Sequence, residues 1–286
     1  MKKLNKYILI ILFTIPTSNI YAVCKGETCC SINAGVVTYP ASSRCHIEPD
    51  LYGIKIYKLY LCTSQPSIPS NSNQANLINA GCTIILNSNS GSDVNLTQSN
   101  GSIAFPNATF SRPPDGTYTH GAMYISNTFR IKWSRQFNQS VKSDSSTSTG
   151  EYCSTTSGTG NISAKQSLQC QSGSAPTAGI FNTILDNFGN DTIEMFDSYS
   201  NINGSGADIN AYLVNSSNNL SGNGSDATQI FGIQTLAAPV IISKNFKGLD
   251  ISFAINKGSL IFQSGGSSEI SASVGPFQTI ITPLSY

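Results

Sequence analysis

Ile54-Lys55-Ile56-Tyr57-Lys58-Leu59-Tyr60-Leu61-Cys62 sets the structural class of this chain. Apolar and polar side chains exchange along it at a period of about two, the pattern of a strand with one buried face. Extended to both sides, the same reading predicts strands over 53–62, 82–86, 93–96, 102–105, 118–125 and 129–133. After a polar interval it predicts 229–234, 239–243, 250–255, 259–262, 269–274 and 278–281. Helical periodicity is nearly absent, and Thr183-Ile184-Leu185-Asp186-Asn187-Phe188, the longest helix-like run, predicts no more than a short turn or helix. Asn256-Lys257-Gly258 between two late strands is a hairpin signal. Many short strands at this spacing predict an all-β protein, a disulfide-stapled antiparallel β-sandwich.

The interval 136–228 has another composition. Ser, Asn, Gly, Asp and Thr dominate 140–148 and 201–225. Such segments bury too little apolar surface to offset the entropy of ordering them. They are expected as a long polar, loop-rich insertion in the sandwich rather than a second core. No period of 20–50 residues repeats, which disfavours solenoids and propellers. The expected division is a signal peptide over 1–22, a cysteine-rich segment over 23–50, and the β-sandwich over 51–286.

Arg112-Pro113-Pro114-Asp115-Gly116-Thr117-Tyr118-Thr119 leads into the predicted strand 121–126, and Gly248-Leu249-Asp250-Ile251-Ser252-Phe253-Ala254-Ile255-Asn256 lies near the end. A Pro-x-Gly-x-Tyr turn entering a strand resembles the prealbumin-like β-sandwich modules, among them the Cna-B-type repeats of bacterial surface proteins. The resemblance covers about 51–135 and 236–265. It implies a sandwich and a surface role, and it assigns no functional residue. In physical terms the turn asks Pro to set φ, Gly to take an unusual φ, and Tyr to pack on the sheet. The disulfides and the polar insertion depart from those repeats.

Location is written at the N-terminus. Lys2, Lys3 and Lys6 precede an apolar run over 7–15, too short to span a bilayer, and Ile20-Tyr21-Ala22 offers a cleavage site. Cleavage there removes three lysines and takes the formal charge from +1 to −2. The chain is expected to be secreted, extracellular or in the cell envelope, with no transmembrane segment after signal removal. Near-neutral charge also argues against nucleic acid as a partner.

All eight cysteines follow the proposed cut: Cys24, Cys29, Cys30, Cys45, Cys62, Cys82, Cys153 and Cys170. In an oxidising compartment an even count predicts four disulfides. Locality pairs Cys62 with Cys82 and Cys153 with Cys170, each closing a polar loop. Cys24, Cys29, Cys30 and Cys45 are left to pair among themselves in an order the sequence does not fix. A zinc reading is disfavoured because Cys24-x4-Cys29-Cys30 lacks knuckle spacing and His46 is the only imidazole nearby.

Catalytic parts are scarce. Charged residues make up 11 % of the chain against about 25 % in an average domain. Only His46 and His120 are available to activate a hydroxyl, and no Gly-x-Ser-x-Gly elbow occurs. Asp186, Asp191, Glu194 and Asp197 crowd into twelve residues. They are candidates for a calcium site, or for a glycosidase pair, against the simpler reading of a solvated acidic loop. Gly189-Asn190-Asp191-Thr192-Ile193 matches one fragment of a calcium-binding nonapeptide repeat. No cofactor other than calcium is expected. Phe129, Ile131 and Trp133 should share a core-facing side of their strand. The expected function is a structural or adhesive role without catalysis, with other surface proteins, a second copy of the chain or surface glycans as partners. The alternative is a secreted carbohydrate-binding module or glycoside hydrolase using the 186–197 carboxylates.

Overall fold

The apolar residues of the stretch quoted first change parity along it. Ile54 and Ile56 are even-numbered, Leu59 and Leu61 odd-numbered, yet all four are buried in one core. A bulge reconciles them. Ile56 pairs with Ile125 and Lys58 with Tyr124, so Tyr57 has no opposite number and the two faces of the strand exchange there.

The computed structural model describes residues 29–39, 44–97, 103–161, 166–188, 194–202, 205–263 and 268–285, and these hold no helix. The expected signal peptide, Cys24 and Asp191 lie outside the described residues. In chain order the strands are β1 (Ile32–Asn33), β2 (Val36–Val37), β3 (Arg44–Ile47), β4 (Leu51–Cys62), β5 (Thr83–Asn95) and β6 (Thr109–Phe110). Next come β7 (Gly116–Ser126), β8 (Thr128–Lys132), β9 (Ser134–Ser143), β10 (Thr149–Thr155), β11 (Gly158–Asn161), β12 (Leu168–Gln171) and β13 (Phe181–Ile184). The last are β14 (Phe196–Ile202), β15 (Ala207–Val214), β16 (Gln229–Ile242), β17 (Phe246–Ala254), β18 (Ser259–Gln263), β19 (Glu269–Val274) and β20 (Gln278–Ser285).

One sheet runs β1-β2-β9-β19-β18-β3, with β10 and β12 attached through β9. The larger runs β11-β13-β8-β4-β7-β16-β15-β14, with β5 and β6 attached through β4. Strands β17 and β20 form a third, two-stranded sheet. Pairing is antiparallel except at β11–β13, β19–β9 and β2–β9. Those partners are not joined by tight hairpins, so nothing local imposes an antiparallel direction on them.

Aromatic and aliphatic side chains from the sheets meet in one core, with Trp133, Tyr52, Phe137 and Phe129 among its largest members. Trp133 is fully buried, and its indole Nε1–H donates to Gln166 Oε1 at 3.3 Å. Bridges Cys30–Cys45, Cys62–Cys82 and Cys153–Cys170 staple the fold. Cys29 is disulfide-bonded as well.

Several elements differ from the sequence expectation. Predicted strands 82–86 and 93–96 are one strand, β5, whose middle residues Ser88 and Ser92 are buried. Residues 88–91 form a bulge opposite Tyr57, where Gly91 takes φ +79° and a Cβ would lie 2.4 Å from Lys55 Cγ. Likewise 229–234 and 239–243 are one strand, β16, with a bulge between Thr235 and Val240 that accommodates Pro239. Residues 103–105 are not a strand, and 183–188 holds the end of β13 rather than a helical turn. Gly116 opens β7 without a positive φ, while the Tyr118 hydroxyl donates to the Pro114 carbonyl at 2.9 Å.

The turn at 256–258 forms, with Gly258 N–H donating to Ile255 O at 2.8 Å, but it closes no hairpin. Strand β17 pairs with β20, and β18 pairs with β19 and β3, so this turn carries the chain from one sheet to another. The polar interval is also more ordered in strands than its composition implies. Strands β10 to β15 lie within it and join both large sheets. Small polar residues take inward positions there and bond the backbone. Ser154 Oγ donates to Pro176 O at 2.9 Å, and Thr155 Oγ1 to Gly179 O at 2.7 Å. A hydroxyl satisfied in this way is buried at little cost.

Candidate functional site

Two surfaces of the larger sheet concentrate the chemistry of this protein. On its inner face, one row of cross-strand partners passes from two large side chains, Leu59 of β4 and Met123 of β7, to two small residues, Gly232 of β16 and Ala211 of β15. A second row runs Leu61, Gly121, Gln234 and Ile209. The small members leave space where large ones would meet the facing residues 273–281. The result is a cavity of about 600 Å³, bounded on one side by Met123, Ile125 and Phe129 and on the other by Val274 and Phe277.

Its polar groups are few and neutral where buried. The Tyr52 hydroxyl donates to Gly275 O at 2.7 Å, and burial pushes its pKa well up. Gln234 grips the backbone of Thr279 at both ends. Its Nε2 donates to Thr279 O at 2.6 Å, and its Oε1 accepts from Thr279 N at 2.9 Å. Ser273 and Thr279 are also among the lining residues, with their side-chain oxygens buried out of reach of solvent and without a hydrogen-bond partner. Among the described residues, the charged groups that line the cavity are Arg44, which is exposed, and Asp197, which is half-buried.

The outer face carries an aromatic row. Tyr124, Phe231, Tyr212 and Phe196 are consecutive cross-strand partners over β7, β16, β15 and β14. Their ring centroids lie 4.8, 6.5 and 6.3 Å apart in turn. Loop residues Ala75, Leu77 and Leu220 cover the buried end of the row, where desolvation pushes the Tyr124 hydroxyl up to about 12. At the other end Phe196 is 58 % exposed, on the terminal strand of the sheet.

The sequence-predicted carboxylates are not gathered. Glu194 is exposed, and its backbone N–H donates to Asn187 Oδ1 at 2.7 Å. Asp197 accepts the N–H of its neighbour Ser198, and Asp186 Oδ1 is buried without a hydrogen-bond partner. Among the described residues no three His, Cys, Asp or Glu side chains form a group able to hold a metal. The calcium candidates Asp186, Glu194 and Asp197 therefore form no such group, and Asp191 falls outside the described residues.

Neither histidine is arranged as a general base. His46 is buried with Nδ1 3.1 Å from Lys257 O, beside the Cys30–Cys45 bridge. His120 Nδ1 lies 2.9 Å from Thr119 Oγ1, but that hydroxyl donates its proton to Thr63 O at 3.0 Å. The threonine thus accepts from the imidazole, the wrong direction for activating a nucleophile. Sequence reasoning missed the cavity altogether. Its traces are Gly121, Gly232 and Ala211 at inward positions of their strands, which become informative only once those strands are set in register.

Compared with known proteins, the chain matches no family model, no curated protein and no solved structure.

Proposed function

We propose that this is an exported protein of the cell surface or extracellular space that works by binding rather than catalysis. The observation that carries the reading is the apolar cavity. It has the size of a small-molecule site, apolar walls and a few neutral polar groups, and among the described residues no nucleophile–base pair faces it. Three disulfides support an oxidising location. The test uses mature, oxidised protein and a neutral apolar fluorophore, N-phenyl-1-naphthylamine. Saturable enhancement of its emission is expected, lost in Ala211→Trp, which replaces a small lining residue by a large one. Emission that rises linearly, or that Ala211→Trp leaves unchanged, sinks the binding reading. Recovery of the protein only from the cytosol sinks the location.

A second reading, adhesion, has its own support in Phe196. A phenyl ring exposed on a sheet edge and stacked on Tyr212 is a platform for a sugar ring or for another aromatic surface. Phe196→Ala should then reduce retention on immobilised surface glycans or on the chain itself, with the fluorophore titration unchanged.

A further inference from the structure

We infer that the cavity takes an amphiphile with an apolar body and one carboxylate head, the head held by Arg44. This rests on the cavity being a binding site and adds the chemical class of its ligand. The chain has four arginines. Three of them meet an aspartate: Arg112 with Asp115, Arg130 with Asp93 and Arg135 with Asp50. Arg44 has no carboxylate within ion-pair distance among the described residues, and it is the arginine that lines the cavity. It is also exposed, so it stands where the cavity meets solvent. Strand β3 brings it there. Arg44 pairs with Phe262 of β18, which lines the same cavity. His46, two residues on and so on the same side of β3, reaches Lys257 O beside Gly275, another lining residue. An unpaired guanidinium at such an opening presents a planar fork of donors that matches the two oxygens of a carboxylate.

The rest of the wall defines the remainder of the ligand. Met123, Ile125, Phe129, Val274 and Phe277 offer a hydrocarbon surface, against which each methylene removed from water favours binding. The head stays at the opening beside Arg44, where water still reaches it, so its charge is not buried unpaired. One negative charge suits the site better than two. Asp197 lines the cavity from the terminal strand of the opposite sheet, with its Oδ1 accepting the Ser198 N–H. Its charge opposes a second negative charge on the ligand, which favours a carboxylate over a phosphate monoester.

The experiment displaces N-phenyl-1-naphthylamine from the oxidised protein at low salt and mildly alkaline pH with three chains of equal length: dodecanoate, dodecyltrimethylammonium and 1-dodecanol. Dodecanoate should displace at a concentration about five-fold below that of dodecyltrimethylammonium. Arg44→Gln should bind the fluorophore as before, need about five-fold more dodecanoate, and leave the dodecanol concentration unchanged. Equal displacement by the two ions overturns the proposal, and so does preference for the cation, which would give head recognition to Asp197. An Arg44→Gln variant indistinguishable from the parent overturns it too. So does one that weakens dodecanoate and dodecanol alike, since the arginine would then act through its hydrocarbon stem. If Arg44→Gln does not fold, the two ions on the parent decide alone, and added salt should narrow the gap between them. Absence of any saturable fluorophore binding defeats the underlying site, a different result from binding without preference between the ions.

Discussion

His120 shows how one partly buried side chain couples this fold to pH. It lies on β7 between Cys62 of β4 and Thr235 of β16, and desolvation lowers its pKa below the ordinary 6.5. The unfolded chain therefore takes up a proton at higher pH than the folded one. The stability His120 contributes is complete above about pH 6.5 and is lost as pH falls through the folded-state value. Urea midpoints should decline over that window and level off below it. His120→Gln should remove the decline there. It should not alter the separate acid response of Glu151 and Asp226, whose hydrogen bonds hold their carboxyls low. A parent midpoint flat through this window would show that the imidazole is as well hydrated in the fold as out of it.

At the scale of elements, the loop closed by Cys62–Cys82 acts as a lid on the outer aromatic row. Ala75 and Leu77 pack over Tyr124, Phe231 and Tyr212, and the loop is tied to its neighbour by Leu220 N–H to Ser70 O and Gln74 Nε2 to Ser217 O. Replacing both cysteines by alanine should cost about 3 kcal/mol in the chain-entropy account of disulfides. Amide exchange in that variant should accelerate first at position 82 and at Leu220, while β18 and β19 keep their protection. The clamp was legible in the sequence, because two cysteines flanked a Ser/Asn/Pro loop, and so were β4, β7, β8 and β19, where inward positions are apolar. Strand β5 was not legible through its middle. Inward Ser88 and Ser92 give no hydrophobic alternation, and the bulge at 88–91 separates the two paired halves of the strand. The turn at 256–258 was legible as a turn and not as a change of sheet, because partner choice depends on strands far away in the chain. The cavity was hidden for the same reason: a glycine reads as a turn former until its cross-strand partners are known.

For the molecule as a whole, Trp133 is a built-in reporter. It is the only tryptophan, fully buried in the core shared by the large sheets, with its backbone N–H on Thr155 Oγ1 at 3.2 Å. Its emission should be blue-shifted and resistant to acrylamide. Its urea transition should coincide with that of the far-ultraviolet circular dichroism, since one contiguous core joins the sheets. Two separated transitions would mean that the sheets melt independently. The ladder between β3 and β18 has a further consequence, in time rather than in space. Arg44–Ile47 is made early, and its partner Ser259–Gln263 more than two hundred residues later. Closure of that sheet must wait until almost the entire chain is available, and so much non-local pairing makes for slow folding. The edge that β3 occupies is therefore without its partner until residues 259–263 have been made, although β4, β5, β7 and β8 can pair long before.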